Sequence, residues 1–251
     1  IWLYYQPSRQ LMAVAVVTGA STGIGLETAK GLAENNFDLI LVSRSPQKLI
    51  SIKNDLESQY RIKCDVFSYD LSLIESNIKF HEEVVKKFQQ VDVLINNVGA
   101  IFMDKVITEE GLETTFALNH MSYFVLSNLF IESSNKIRVI NVSSEAHRGV
   151  SLKLDDLQNN EGYNGWRAYQ RSKLANIYLT YELAKKYSGT DSTINCLHPG
   201  LVNSDFANNN SLHYKIISSL IKYFGISTRE GAMTSIYLAS EESLVNKSGL
   251  Y

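Results

Sequence analysis

The sequence predicts an α/β fold: one parallel sheet with helices on both faces. Two observations carry this. Six short runs rich in β-branched and other apolar residues recur along the chain, at 13–19, 38–43, 62–70, 91–97, 137–144 and 192–200. Between them lie longer segments whose apolar residues repeat at helical spacing. Strands that read as near-continuous apolar runs are buried on both faces, as in a parallel sheet covered by helices. With right-handed crossovers this is a single Rossmann-type doubly wound sheet. No internal repeat or linker interrupts the 251 residues, and only three prolines occur, so 13–251 reads as one domain.

The elements follow in order. AVAVVTG opens the sheet and GLETAKGLAEN continues as a helix. DLILVS is the second strand, followed by the helical SPQKLISIKNDLESQY. IKCDVFSYD is the third, with a helix expected from Leu73 to Gln90. VDVLINN is the fourth, and GLETTFALNHMSYFVLSNLF is read as one continuous helix. IRVINVSS precedes AYQRSKLANIYLTYELAKKY, and STINCLHPG precedes TREGAMTSIYLAS. Ligands in such sheets bind beyond the carboxyl ends of the strands. Those ends read TGASTGIG, SRS, YDL, NNVG, VSS and HPG, all small, polar or glycine-rich.

The first of these, TGASTGIG, spans Thr18 to Gly25 and lies between a strand and a helix. Gly19, Gly23 and Gly25 let the backbone turn tightly and approach a pyrophosphate, while the helix start supplies unpaired N–H groups. Ser21, Thr22 and Ile24 complete the candidate phosphate cradle. The strand-to-helix context distinguishes this loop from a chance glycine cluster. The second strand ends at Ser43, followed by Arg44, and no Asp or Glu lies between Leu39 and Lys48. An acid there would bind the ribose hydroxyl of NAD, whereas an arginine accommodates the 2′-phosphate of NADP. NADP(H) is therefore expected over NAD(H). The competing reading of Arg44 is a surface cation paired with a nearby carboxylate. Asp70 and Leu71, ending the third strand, are candidates to flank the adenine.

Tyr169 and Lys173 stand four residues apart in RAYQRSK, and so share a helix face. Alone, the pair is either a solvated face or a tuned acid. Taken together with TGASTGIG, NNVG, NVSS and HPG in this order, it resembles the short-chain dehydrogenase/reductase superfamily over nearly the whole chain. NVSSEAH, LDDLQ, YQRSKLANI and HPGLVNSD are most similar to its retinol dehydrogenase-like branch. The resemblance implies that Tyr169 is the catalytic acid/base and Lys173 its partner. It implies that Ser144, rather than Ser143, holds the substrate oxygen, and that Asn119 belongs to a proton relay. Asn96, Asn97 and Gly99 match the turn after the fourth strand. Pro199, Gly200, Val202 and Ser204 match the loop near the nicotinamide, Ser204 standing where many members have threonine. Val98 stands where the family usually has alanine, and its two extra methyls are expected to loosen cofactor packing. The segment 151–165 is expected as a loop beside the site.

The chemistry implied is hydride transfer between nicotinamide and an alcohol or carbonyl, with a retinoid, steroid or lipid aldehyde as candidate substrate. A phenol ionises near pH 10, at about 10. A neighbouring ammonium favours the phenolate, so Tyr169 would exchange protons nearer neutral pH. The alternative, of another class, is a nucleotide-binding regulatory or scaffold protein with little turnover.

Other classes find little support. The net charge is -2 and no basic block offers a nucleic-acid footprint. The five histidines show no metal spacing, and HEEVV lacks the second histidine of a zinc-protease helix. Cys64 and Cys196 form no CxxC pair, which points to a reduced compartment. No apolar stretch of membrane-spanning length occurs. Residues 1–12, beginning IWLYY without Met, read as an arm or the remnant of a membrane anchor, and the closing SGLY as the start of a strand. A fragment at both ends is expected, from a protein of the cytoplasm or the cytosolic face of an intracellular membrane. SLHYKIISSLIKYFG, at 211–225, is read as a helix over the substrate cleft. The resemblance is also compatible with a homodimer.

Overall fold

A computed structural model of the chain describes residues 12–203 and 225–251. Ser204 and all but the last residue of the helix expected at 211–225 lie outside them, as do residues 1–11.

Six strands form one parallel sheet in the order β3-β2-β1-β4-β5-β6. They are β1 (Val14–Thr18), β2 (Asp38–Ser43), β3 (Cys64–Ser68), β4 (Val93–Asn96), β5 (Arg138–Val142) and β6 (Thr193–Leu197). The order reverses between β1 and β4, and a crevice for ligands opens beyond the strand ends at that point. Register is set by the strand pairs Val16↔Ile40 and Val16↔Leu94 at the centre of the sheet.

Alternation along each strand divides the core in two. Ala15, Val17, Leu39 and Leu41 pack against α1 (Gly23–Glu34), α2 (Pro46–Gln59) and α7 (Thr228–Ser240), through Leu32, Leu49 and Leu238. Val16, Ile40, Val42 and Leu94 face the opposite layer, formed by α3 (Ile74–Lys87), α5 (Ser122–Ser133) and α6 (Gly165–Lys186), through Phe80, Leu126, Phe130 and Leu179. Each fully buried Val, Leu, Ile or Phe side chain contributes about 1.5–3 kcal/mol relative to exposure.

The helix expected without interruption from Gly111 to Phe130 is built differently. Gly111 has φ +80°, outside the helical region. The Glu113 carboxylate accepts from the Thr115 N–H at 2.7 Å and the Phe116 N–H at 3.0 Å, which caps the short α4 (Thr114–Phe116). A π turn follows over Ala117–Met121, in which the Ser122 N–H reaches back five residues to the Ala117 carbonyl. Single π turns inside helices mark functional sites often enough to direct attention to Asn119 at its centre.

The loop 148–164 is pinned to this region. The Tyr163 hydroxyl donates to the Phe102 carbonyl at 2.8 Å, and the Glu113 N–H donates to Gln158 Oε1 at 2.7 Å. Asn164 then caps α6, accepting from the Arg167 N–H at 2.9 Å.

Candidate active site

The glycine turn sits where the crevice opens. Gly19 and Gly23 have φ of +68° and +59°, in the left-handed region that favours glycine. A side chain at Gly25 would collide with the Gly19 carbonyl oxygen and approach Asn97 Nδ2 to 2.5 Å. Thr22, with Ser21 beside it, precedes α1 but makes no side-chain cap, and the first turn from Gly23 through Ile24 and Gly25 carries no acid. The N–H groups at this helix start keep their positive potential unopposed, which suits a pyrophosphate. The cradle therefore fits a dinucleotide.

Thr18, which motif reasoning passed over, holds this turn against the end of β4. Its Oγ1 accepts from the Asn97 N–H at 2.9 Å and the Val98 N–H at 3.0 Å, while Asn97 Nδ2 donates to the Thr18 carbonyl at 2.9 Å. The Val98 side chain packs against the core, and its carbonyl accepts from the Tyr123 hydroxyl at 2.9 Å. Asn96 is wholly buried and donates to Ser127 and Asn141, so it is a structural residue here.

Arg44 follows β2 as an exposed side chain, and among the described residues no carboxylate forms an ion pair with it. At the end of β3, Asp70 Oδ1 accepts from the Ser72 N–H at 3.0 Å and from its hydroxyl at 2.7 Å. The Leu71 side chain is buried in the core, so any contact it makes with a ligand would come from its main chain.

Across the crevice stand the residues of β5 and α6. Tyr169 is 8% exposed and Lys173 3%. Lys173 Nζ donates to the Val142 carbonyl at 2.9 Å and lies 5.8 Å from the centre of the Tyr169 ring and 5.4 Å from that of Tyr123. Burial alone pushes the Lys173 ammonium down to about 7.

The two serines ending β5 are separated by their bonding. The Ser143 hydroxyl is buried and donates to the Lys173 carbonyl at 2.7 Å, tying β5 to α6. Ser144 is half-buried, and its Oγ accepts from the Ala146 N–H at 3.2 Å, so its proton stays available. Asn119, brought in by the π turn, accepts at Oδ1 from the Ala100 N–H at 2.9 Å and donates from Nδ2 to the Ala100 carbonyl at 2.9 Å and to Ser172 Oγ at 3.1 Å. Gly99 lies between these groups: a side chain there would stand 3.2 Å from Asn119 Oδ1 and 3.5 Å from Lys173 Nζ.

The loop after β6 closes the far side. Gly200 has φ +82°, and Val202 pairs with Ile226 just before α7. Pro199 and Gly200 thus run from the end of β6 toward the glycine turn's helix layer, with the Pro199 carbonyl facing Gly231 of α7. Sequence motifs missed Asn176 and Tyr123 behind the site. Each acts through a contact distant in sequence, and only the apolar spacing of α5 and α6 hinted at their burial.

A family model described as short chain dehydrogenase matches residues 13–215. Human retinol dehydrogenase 12 is 36% identical over 245 residues, spanning 95% of this chain and 76% of that protein. Human retinol dehydrogenase 13 is 34% identical over 246 residues, spanning 94% and 74%. Among solved structures, L-sorbose reductase from Gluconobacter frateurii, complexed with NADPH and L-sorbose, superposes with a TM-score of 0.76 at 21% identity, covering 95% of this chain and 93% of that one, a likeness of fold. The chain belongs to the short-chain dehydrogenase family, as a retinol dehydrogenase-like oxidoreductase acting on the alcohol/carbonyl pair.

Proposed function

We propose that this protein is an NADP(H)-dependent oxidoreductase whose substrate is an apolar alcohol or its carbonyl, of retinoid, steroid or lipid-aldehyde type. The observation that supports the reading is buried Lys173 with its Nζ 5.8 Å from the centre of the Tyr169 ring and, across Gly99, Asn119, in a chain whose glycine turn fits a dinucleotide. Gly19, Ser21, Thr22, Gly23, Ile24 and Gly25 would hold the pyrophosphate, Arg44 the 2′-phosphate, and the Asp70–Leu71 backbone the adenine side. Asn97, Gly99, Tyr169, Lys173, Pro199, Gly200, Val202 and Ser204 would bound the nicotinamide half. When bound, NADPH supplies the hydride.

The chain's own residues do the rest. The Tyr169 hydroxyl gives its proton to the substrate oxygen in reduction and takes it back in oxidation. The Ser144 hydroxyl donates to the same oxygen as charge develops on it. Lys173, held near neutrality by burial, passes a proton toward Tyr169. Asn119 holds a water that resupplies that proton.

Two observations support an apolar substrate. The Trp166 ring is 43% exposed, and its centre lies 5.7 Å from that of Tyr169, tilted by 31°. Leu201, beside Gly200, is 56% exposed. Two similar proteins carry the name retinol dehydrogenase. The test is oxidation of NADPH, and separately NADH, with retinal, a medium-chain aldehyde and a steroid ketone. Faster turnover with NADPH is expected. Equal rates with NADH would remove the role given to Arg44, and no turnover with any carbonyl would remove the enzyme reading.

A further inference from the structure

Behind the catalytic helix lies a chain of buried polar side chains that the hydride-transfer reaction does not itself use. Asn176, one turn beyond Lys173 on α6, is wholly buried. Its Nδ2 donates to the main-chain carbonyl of Asn119 at 2.8 Å, and its Oδ1 meets His120 Nδ1 at 2.9 Å. The Asn176 carbonyl accepts from Thr180 Oγ1 at 2.8 Å, and Thr180 Oγ1 in turn accepts from Asn141 Nδ2 at 2.9 Å. Asn141 Oδ1 accepts from Asn96 Nδ2 at 2.9 Å, which carries the chain into β4.

The donor sense of this chain is determined by chemistry. An amide that gives its N–H to Asn119 presents only its oxygen to His120, so the imidazole donates from Nδ1. Burial holds His120 below its ordinary value, and the neutral ring therefore carries its proton at Nδ1 near neutral pH. A buried amide costs free energy unless paired, and a leucine of similar size would fill the same space without that cost. What the amide adds is direction. Asn119 sits in the π turn, where the main chain departs from helical geometry, and Asn176 is the α6 side chain that ties down its carbonyl.

We propose that Asn176 is a positioning residue for the reaction: it fixes the Asn119 main-chain carbonyl against α6 one turn beyond Lys173, and His120 fixes the Asn176 amide. A carbonyl oxygen has two lone pairs. The bond from Asn176 therefore still allows a second donor, and a water that resupplies Lys173 would be that donor. This inference rests on the hydride-transfer reading and names a residue pair that reading does not include.

The experiment compares wild type, Asn176→Leu, His120→Leu, His120→Gln and Tyr169→Phe with NADPH and a retinal substrate, recording kcat, KM for NADPH, the solvent deuterium isotope effect and the thermal midpoint. Misplacing a relay group lowers turnover by roughly ten- to a hundredfold. Asn176→Leu and His120→Leu are expected to lose kcat in that range, with KM for NADPH nearly unchanged and a larger solvent isotope effect. His120→Gln, whose amide can still donate to Asn176 Oδ1, recovers most of the loss. If Asn176→Leu does not fold, the two His120 variants carry the comparison. Unchanged kcat, or a fall in thermal midpoint with no change in kcat or isotope effect, overturns the proposal. If that happens while Tyr169→Phe is inactive, the hydride-transfer reading stands and this one falls; an inactive wild type removes both.

Discussion

Lys173 Nζ lies 5.8 Å from the centre of the Tyr169 ring and donates to the Val142 carbonyl at 2.9 Å. The ammonium is thus anchored to the end of β5 from behind while the phenol stands one helical turn away. No carboxylate among the described residues pairs with it. An unpaired buried amine is costly for stability, and its placement against Tyr169 gives a reason for the cost.

Lys173 should therefore trade stability against turnover. Its value in the folded chain, about 7, lies below the ordinary 10.5, so between those pH values the unfolded chain binds the extra proton. The stability contributed by this group rises as pH climbs through that window and is lowest below about 7, where the charge is buried in the folded state. Lys173→Met should raise the thermal midpoint by several degrees near pH 7, flatten its rise toward alkaline pH, and lower turnover by about 10² or more. Thermal melts across pH with the wild type alongside check this. A variant less stable than wild type at pH 7 would contradict it.

The serine pair offers a second contrast. Ser144→Ala removes the donor proposed for the substrate oxygen and should cost about 10²–10³ in kcat. Ser143→Ala removes the bond to the Lys173 carbonyl and should cost about 1 kcal/mol of stability with a smaller kinetic effect. Parallel steady-state kinetics and melts separate the two; the reverse ranking of kcat would exchange their roles.

Arg44 has no carboxylate to satisfy among the described residues, so its removal should be felt by the cofactor. Arg44→Leu should raise KM for NADPH by about ten- to a hundredfold, in line with a lost charge-assisted contact of about 1.5–3 kcal/mol, and leave KM for NADH nearly unchanged. Coenzyme titrations followed by reduced-nicotinamide fluorescence give the answer. Equal weakening of both coenzymes would mean that Arg44 supports the fold and not the phosphate.

Gly25→Ala tests the cradle. The new methyl would meet the Gly19 carbonyl and Asn97 Nδ2, so the turn must shift. Binding of NADPH should weaken by at least about tenfold, with a stability loss of about 0.5–3 kcal/mol. Unaltered NADPH affinity by calorimetry would refute the close approach on which the cradle depends.

Much of this architecture was legible in the sequence, for a local reason. All six strands form where the β-branched runs stand, and the residues at their ends meet because a parallel sheet collects its carboxyl ends on one edge. Tyr169 and Lys173 share a face because a helix repeats at that spacing. What escaped local reasoning depends on contacts across the chain. The π turn at Ala117–Met121 is not signalled by the periodicity of 111–130, which reads as one helix. The bond that ties the Ser143 hydroxyl to the Lys173 carbonyl joins residues thirty apart, so only the family resemblance, and no local pattern, separated Ser143 from Ser144. The Asn176–Asn119 contact joins residues 57 apart and leaves no pattern in either segment.

The central claim is that hydride passes to a carbonyl carbon while Tyr169 supplies the proton. Its most direct test is deuterium transfer from NADPH labelled at the transferable C4 position of the nicotinamide, with retinal as acceptor, in wild type and Tyr169→Phe. The account predicts one deuterium on the carbinol carbon of the product with wild type, and turnover lower by about 10² or more in Tyr169→Phe although NADPH still binds. Product lacking deuterium with wild type, or equal turnover in the two proteins, would contradict it.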